Sequence, residues 1–310
     1  MTLCWVIGGG GLLGSALLRR LRREAQIYQP DERFTWADAP RLLEQLSSAL
    51  LAFAARVRDQ GAWEIYWAAG IGTMGSSAAE LANETLAWQE LLGLIKTNDV
   101  LGAFPGRIAL ASSAGAIYAG LQVDVIDETC TEAPTTPYAQ AKLEQERLLR
   151  NLSTHGRPVA TFTARISTLY GPGQASGKRQ GLITHMARSI VRNRPIQIFV
   201  PFDTVRDYIT ADDAAAVIVD VLRSRSGPGG VMGIVASERP TSIAEIVATF
   251  HRVARRPPLI ATSASKLSAL YLRRVQYRSS LTLPRRTSLT GLPIGVAQVL
   301  AAERLAFARG

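Results

Sequence analysis

Short apolar runs alternate with amphipathic segments along most of the chain. The apolar runs predict buried strands at 3–7, 25–29, 63–68, 106–112, 158–165 and 196–200. The amphipathic segments predict helices at about 12–23, 40–58, 77–96, 136–151, 181–192 and 211–223. Strands that alternate with helices are typical of βαβ units, so we expect an α/β protein with a doubly wound parallel sheet.

The pattern becomes irregular after about Gly171, because proline and glycine interrupt it repeatedly. We therefore predict two parts. The parallel sheet is expected to form a domain over residues 1–170, completed by a return segment at about 195–223. A smaller, discontinuous part, formed by 171–194 and 224–310, is expected to bind the substrate.

Composition narrows the class of protein. The chain has 310 residues, 47% of them hydrophobic, which is enough for one large domain or two coupled ones. No apolar run reaches the ~20 residues that cross a bilayer, and the first residues lack the charge and length of a signal peptide. We therefore expect a cytoplasmic protein with no membrane partner. No metal site is expected, because no metal-ligand spacing occurs at Cys4, Cys130, His155, His185 or His251.

The net charge is +10, and nearly all of the excess comes from arginine, since lysine occurs at only four positions. The arginines are scattered over predicted helices and are not interleaved with aromatic residues. This distribution does not match a nucleic-acid-binding face, so we expect no nucleic-acid partner. An anionic small-molecule substrate suits the surplus of arginine.

Three glycines stand at GxxGxxG spacing between the first predicted strand and the first predicted helix. Gly8, Gly11 and Gly14 allow the backbone to approach a dinucleotide pyrophosphate, because glycine has no Cβ and takes positive φ. The helix that begins near Leu12 and Leu13 directs its N-terminal N–H groups at the phosphates. Glycines also occur in ordinary turns, but a strand before the motif and a helix after it favour a dinucleotide cofactor on a Rossmann domain.

Tyr138 and Lys142 are four residues apart in the predicted helix at 136–151, so they share one of its faces. A free tyrosine has a pKa near ~10, which an adjacent ammonium lowers because it favours the phenolate. The pair therefore predicts a general base. The alternative is a core tyrosine beside a solvated lysine, and the rarity of lysine in this chain disfavours it.

Ser112 and Ser113 end the apolar run at 106–112. Their hydroxyls would emerge at the carboxyl end of the sheet, where open α/β folds bind ligands. A hydroxyl at this place can hold a substrate oxygen while Tyr138 moves the proton. Alternatively, the two serines satisfy a strand end or cap a turn.

Taken together, these motifs resemble the extended short-chain dehydrogenase/reductases, specifically the NAD(P)-dependent sugar-nucleotide epimerase/dehydratase family. The resemblance extends from residue 1 to about 260. Besides the glycine turn, its matching positions are Asn83, Ser113, Tyr138, Lys142 and the segments 68–70, 165–173, 206–215 and 240–246. The ordered succession of these segments is far more specific than any one of them.

The resemblance implies hydride transfer between a secondary alcohol carbon of the substrate and the nicotinamide ring. Tyr138 takes the hydroxyl proton, Lys142 lowers the phenol pKa and holds the nicotinamide ribose, and Ser113 bonds the substrate oxygen. Ser112 is the alternative hydroxyl, because some relatives place the catalytic hydroxyl at the position of Ala114.

Departures from the family pattern reduce the number of reactions that we expect. The family's dehydratases carry Asp-Glu directly after the catalytic hydroxyl, where this chain has Ala114 and Gly115. Its 3,5-epimerase/reductase branch uses a cysteine and a histidine, which are Ala114 and Gly181 here. We therefore expect oxidation, reduction or C4-type epimerisation. A reductase of a non-nucleotide ketone and a non-catalytic dinucleotide-binding regulator are the alternatives.

The cofactor is expected to be NAD or NADP, and the sequence leaves the choice open. Asp31 would bind the adenine ribose of NAD, whereas Arg33 would bind the additional phosphate of NADP. Asp38 resembles the family's adenine-contacting aspartate, or else caps the helix that begins near Pro40. The other cofactor contacts that the resemblance implies are Ala68, Ala69, Gly70 and Asn83.

The substrate that the resemblance implies is a nucleotide sugar. Arg206 is the expected phosphate contact, with Lys178 and Arg179 behind it. Thr168 stands where the family has an asparagine that contacts the substrate. The helix around 83–92 has an apolar face, and helices at this place often pair two subunits in relatives, so a homodimer is expected.

Overall fold

The computed structural model describes residues 1–70, 72–153, 159–174, 181–263, 273–281 and 289–309. The strands in these ranges are β1 (Thr2–Ile7), β2 (Gln26–Tyr28), β3 (Ala62–Trp67), β4 (Gly106–Ser113), β5 (Val159–Ile166), β6 (Thr168–Tyr170), β7 (Ile196–Ile198), β8 (Val205–Thr210), β9 (Gly229–Val235), β10 (Pro240–Ser242) and β11 (Ile260–Thr262). The helices are α1 (Leu12–Leu21), α2 (Ala39–Gln60), α3 (Ala78–Thr97), α4 (Asp99–Ala103), α5 (Ala114–Ile117), α6 (Pro137–Ser153), α7 (Leu182–Val191), α8 (Ala211–Arg223), α9 (Ile243–Ala254) and α10 (Leu292–Ala308).

A six-stranded parallel sheet with the order β2-β1-β3-β4-β5-β9 forms the centre of the protein. The strand order reverses at β1, because β2 pairs on one side of it and β3 on the other. Helices therefore cover both faces, and the predicted doubly wound α/β class is confirmed. At such a reversal the loops at the carboxyl ends of the strands separate and leave a crevice for a ligand.

Alternate residues of the strands face two helical layers, as the pleat of a sheet requires. Trp5 and Ile65 pack into an apolar cluster with α2, α3 and α6. Val6 and Tyr66, the next residue along each strand, pack into a second cluster with α1 and α8. Because both faces are buried, the strands read as nearly continuous apolar runs in the sequence.

The structure contains strands that the apolar runs did not predict, namely β6, β8, β9, β10 and β11. The run at 196–200 forms β7, but β7 pairs with β11 in a separate two-stranded sheet and does not join the main one. The sixth strand of the main sheet is β9, which pairs with β5. The sequence pattern did not predict β9, because its first residues, Gly229 and Gly230, are typical of turns.

Local capping fixes the ends of the helices that carry the site. The Asp38 carboxylate accepts a hydrogen bond from the first turn of α2, and Gly61 ends that helix with φ +78°. Ser77 and Glu80 form a capping box at the start of α3, so this helix begins at a defined residue. The Ser242 hydroxyl caps α9 by accepting the N–H of Glu245 at 3.1 Å, at the segment that resembles the family's helix start.

A third apolar cluster joins α7, α9 and α10, and it includes Ile183, Phe250 and Val299. It lies in the part of the chain where prolines and glycines obscure the periodic pattern. None of the helices in the described ranges is long and apolar enough to cross a membrane.

Candidate active site

The turn between β1 and α1 is built from backbone contacts that exclude side chains. Gly8 has φ +91°, and its carbonyl oxygen accepts the N–H of Gly11 at 2.9 Å. A Cβ on Gly8 would lie 2.5 Å from the amide nitrogen of Ala69, and one on Gly14 would lie 2.1 Å from the Gly8 carbonyl oxygen. Gly8 and Gly14 are therefore required by close approach, and we refer to this turn in front of α1 as the glycine cradle.

Helix α1 begins at this cradle with an open N-terminus. Gly11 is its N-cap, no described side chain caps it, and its first turn carries no acidic residue. The free N–H groups and the positive end of the helix dipole are thus available to an anion. The side chains of Leu12 and Leu13 pack into the cluster with α8, so these residues offer backbone N–H groups only. This arrangement fits a dinucleotide pyrophosphate.

The chain that leaves β3 forms the opposite wall of the cradle. Ala68 and Ala69 follow the strand directly, and Ala69 packs against Gly8. Gly70 has φ +151°, and a Cβ there would lie 3.0 Å from Oε1 of Glu84, a residue of α3. The predicted cofactor positions of this segment therefore lie beside the glycine turn.

The loop after β2 leaves the choice of cofactor open. Asp31 and Arg33 are both exposed, and the amide of Gln45 fastens this loop to α2 by donating to the Arg33 carbonyl oxygen at 3.0 Å. Asp38 accepts the N–H of Arg41 at 3.1 Å and so acts as the α2 N-cap. The capping alternative for Asp38 is thus observed, and its contact with adenine stays a prediction.

Tyr138 and Lys142 lie on one face of α6, with Nζ of the lysine 5.7 Å from the centroid of the tyrosine ring. The ring packs against the β3–α3 loop: a Cβ on Gly72 would lie 3.0 Å from Cδ2 of Tyr138. Thr136 caps the start of α6 by accepting the N–H of Ala139 at 3.2 Å. The position of Tyr138 is therefore fixed by the capped start of α6, and its ring packs against the β3–α3 loop at Gly72.

The lysine of this pair is buried, with a relative exposure of 5%. Its ammonium donates to Oε1 of Glu84 at 2.9 Å and to Oε1 of Gln145 at 3.0 Å. Burial is the largest single influence and lowers the pKa of Lys142, but Glu84, Tyr138 and Glu146 together outweigh it and hold that pKa above its usual value. Lys142 is therefore a buried cation and not a solvated surface charge, and its catalytic role beside Tyr138 stays a prediction.

The two serines have different roles because they point to opposite faces of β4. The Ser112 hydroxyl is buried and donates to Oε1 of Glu146 at 2.6 Å. The Ser113 oxygen accepts the N–H of Ala116 at 3.3 Å and caps α5, which leaves its own proton free to donate. Ala114, where some relatives carry the hydroxyl, is fully buried. Of the two serines, Ser113 is the better placed to donate to a substrate.

Arg165, at the start of the family-like segment 165–173, is a buried structural cation. Its guanidinium donates to both carboxylate oxygens of Glu146, to Oε1 of Glu132 at 2.7 Å and to the Tyr118 hydroxyl at 2.6 Å. Glu146 follows Lys142 by one helical turn, so this network ties α6 to β4 and β5. The side chain that anchors α6 is therefore an arginine outside the candidate site.

Two of the predicted substrate residues, Thr168 and Arg206, lie on the three-stranded sheet β10-β8-β6. Arg206 on β8 is half-buried and donates to the carbonyl oxygen of Val205 at 2.8 Å. Thr168 is exposed at the start of β6, where it pairs with Tyr208 of the same β8. The two predicted contacts thus share neighbouring strands. Lys178 and Arg179 lie outside the described residues.

Four residues near the pair were not predicted from the sequence: Gly72, Glu84, Gln145 and Glu146. Gln145 and Glu146 follow Lys142 by three and four residues, so helical spacing places them on its face. Glu84 directly follows Asn83, the predicted cofactor contact, which is half-buried on α3. No local pattern links Glu84 to Lys142, because their contact depends on how α3 packs against α6.

A tyrosine beside a buried lysine, on a doubly wound sheet with a glycine turn before its first helix, is the arrangement that the resemblance to short-chain dehydrogenase/reductases implies. The profile of the NAD dependent epimerase/dehydratase family matches residues 4–234, and the chain belongs to this family. This membership confirms the resemblance. It also confirms the prediction that the protein is an NAD(P)-dependent enzyme of the extended short-chain dehydrogenase type.

Relatives support the same conclusion. The dTDP-L-rhamnose 4-epimerase of Burkholderia thailandensis is 26% identical over 265 residues, which are 70% of this chain and 72% of the relative. The structure of MoeE5 with UDP-glucuronic acid and NAD has a TM-score of 0.78 and 20% identity, and covers 99% of this chain and 100% of its own. RMD from Pseudomonas aeruginosa with NADPH has a TM-score of 0.76 and 19% identity, with coverage of 99% and 100%. The two structures confirm the fold and contain different nicotinamide cofactors.

The glycine cradle gives a first testable expectation. We expect Gly14→Ala to weaken NAD binding by about tenfold or more, because its Cβ would force the Gly8 carbonyl oxygen out of place. Calorimetric titration with NAD measures the change. The matched control is Gly227→Ala in the exposed loop between α8 and β9, where a Cβ meets nothing within 4 Å, and it should leave the affinity unchanged. Equal NAD affinities of the two variants would contradict the role of the glycine cradle in binding NAD.

Proposed function

We propose that the protein is a nucleotide-sugar epimerase that acts at a secondary alcohol carbon, with C4-type epimerisation as the favoured reaction. The observation that carries this proposal is the buried Lys142 ammonium 5.7 Å from the Tyr138 ring, beside the glycine cradle. The 4-epimerase activity in the name of the Burkholderia thailandensis relative supports it.

The cofactor, when bound, supplies the acceptor and donor of the hydride. Tyr138 accepts the proton of the substrate hydroxyl and later returns it, because it acts as base in oxidation and as acid in reduction. The Lys142 ammonium stabilises the phenolate form of that tyrosine. Ser113 donates its free proton to the substrate oxygen and keeps it near the base.

The residues after Ser113 support epimerisation over elimination of water. Elimination needs a carboxyl group beside the reacting carbon, whereas Ala114 and Gly115 offer no acid or base. A Cβ on Gly115 would lie 3.8 Å from the hydroxyl of Tyr277, which is buried. Burial raises the pKa of the Tyr277 hydroxyl, so it does not replace the missing carboxyl as a base.

Nucleotide recognition is assigned to Arg206, with Thr168 on the neighbouring strand as a further polar contact. A guanidinium is a suitable partner for a diphosphate, because its planar donors match two phosphate oxygens. The half-buried setting of Arg206 strengthens such a contact by limiting competition from water.

The test is a panel of UDP-, dTDP- and GDP-sugars incubated with the protein and NAD. Product chromatography and nicotinamide absorbance are followed together. We expect one sugar nucleotide to convert to an epimer with no net change in absorbance. In a parallel assay with NADPH and a ketone, steady consumption of NADPH would instead indicate the reductase. Cofactor binding with no conversion in either assay would indicate the regulator.

We also propose that the protein works as a cytoplasmic homodimer. Helices α3 and α6 pack side by side, and the outer face of α3 combines the small residues Ala79, Ala82 and Gly93 with Leu86, which is 43% exposed. Such a face suits a second copy of the same helices. Light scattering of the purified protein should give twice the chain mass, and a monomeric mass would refute the dimer.

A further inference from the structure

A buried carboxylate stands behind the catalytic lysine. Glu84 on α3 has a relative exposure of 5%, and its Oε1 accepts from Lys142 Nζ at 2.9 Å and from Gln145 Nε2 at 3.1 Å. Its other oxygen, Oε2, has no hydrogen-bond partner among the described residues. A half-satisfied carboxylate is a costly group to bury for structural reasons alone. Its position therefore points to a role in the site.

One stretch of loop covers both Glu84 and the catalytic tyrosine. A Cβ on Gly70 would lie 3.0 and 3.1 Å from the two Glu84 oxygens. Two residues further on, a Cβ on Gly72 would lie 3.0 Å from the Tyr138 ring. The carboxylate thus lies directly behind the wall of the cofactor cradle, and the glycines allow the loop to pack against both side chains.

The charges that face Lys142 come from two helices. Glu84 approaches it from α3, while Tyr138 and Glu146 approach it from α6 itself. Glu146 is already neutralised by Arg165 of β5 at 2.7 Å. Glu84 pairs with the Lys142 ammonium at 2.9 Å. The electrostatic potential at Tyr138 is therefore set by the Lys142–Glu84 ion pair and not by the Lys142 ammonium alone.

We propose that Glu84 is a positioning residue that fixes the Lys142 ammonium and reduces the positive potential at the Tyr138 hydroxyl. Proton abstraction then begins at a higher pH than a lone lysine would allow. The ammonium has three N–H donors, of which Glu84 and Gln145 occupy two, so one is left for the ribose of the cofactor. This inference rests on the proposed role of Tyr138 as the base.

The test compares two substitutions that separate charge from fit. Glu84→Gln keeps an oxygen for Lys142 and removes the negative charge, whereas Glu84→Asp keeps the charge and shortens the side chain. We expect the acid limb of kcat/KM to move about one pH unit lower in the Gln variant, because the uncompensated ammonium favours the phenolate. Activity on that limb then rises about tenfold. In the Glu84→Asp variant, the acid limb of the kcat/KM profile should stay at the wild-type pH.

A second readout needs no substrate. Tyrosine labelled with ¹³C is titrated by NMR, and the Tyr138 signal is assigned by its loss in Tyr138→Phe. Its midpoint should fall in Glu84→Gln and stay unchanged in Glu84→Asp. If the wild-type protein converts no nucleotide sugar, the proposed function fails, but this titration still decides the role of Glu84.

A Tyr138 midpoint that stays in place or rises in Glu84→Gln would overturn the proposal. A purely structural Glu84 would lower thermal stability in both variants and leave the pH profile where it is. If Glu84→Gln does not fold, Glu84→Met removes the charge at similar length and carries the same expectation.

Discussion

Tyr138→Phe should lose turnover by about 10²–10⁴-fold and keep its affinity for NAD. The ring remains packed against Gly72, since only the hydroxyl is removed. The proton of the substrate hydroxyl then has no acceptor, while the glycine cradle is untouched. Turnover is measured with the nucleotide sugar identified by the panel, and NAD binding by calorimetry.

The control for this variant is Tyr66→Phe. The Tyr66 hydroxyl donates to Glu64 at 2.8 Å, and its ring packs with α1 and α8 on the opposite face of the sheet. This change should reduce stability by about 1 kcal/mol through the lost hydrogen bond and leave turnover intact. Undiminished turnover in Tyr138→Phe would refute the assignment of the base.

Arg165→Met should destabilise the fold by about 3–5 kcal/mol, because it leaves a buried carboxylate without its cation. Among the described residues, Glu146 would keep only the hydrogen bond from the Ser112 hydroxyl, which cannot neutralise its charge. Glu132, which is 40% exposed, can return to water. The free energy of unfolding in urea measures the loss.

The double variant Arg165→Met/Glu146→Leu separates the two explanations for such a loss. If the unpaired charge is responsible, removing Glu146 as well should recover much of the stability, since apolar replacement of a buried ion pair is often tolerated. If the double variant is as unstable as the sum of both single variants, the cause is lost packing. A single variant within about 1 kcal/mol of wild type would contradict the structural role of Arg165.

The sheet was predictable because its buried strands are apolar runs of the right length. Trp63 to Trp67 and the run at 106–112 carry that signal clearly. The edge strand β9 could not be predicted from the sequence. Its glycine-rich start has the composition of a turn, and its pairing with β5 is a tertiary contact. The run at 196–200 was predicted as a strand and forms β7, but its pairing with β11 was not predictable, because a short apolar run does not specify its partner strand.

The site was predictable where its residues are close in sequence. Helical spacing alone brings Tyr138 and Lys142 together, and the glycine spacing predicts the turn. By contrast, Lys142 and Glu84 are 58 residues apart and meet through helix packing. Ser112 and Ser113 could not be told apart, because alternation in a strand gives opposite directions without saying which one faces the site.

The central claim is that hydrogen leaves the reacting carbon as a hydride and returns to the same carbon, while Tyr138 handles only the proton on oxygen. The most direct measurement uses the converted nucleotide sugar carrying deuterium at C4, incubated with the protein and NAD in ordinary water. Mass spectrometry of the epimer should show the deuterium retained at C4. Replacement of the deuterium by hydrogen from water would contradict hydride transfer in this site.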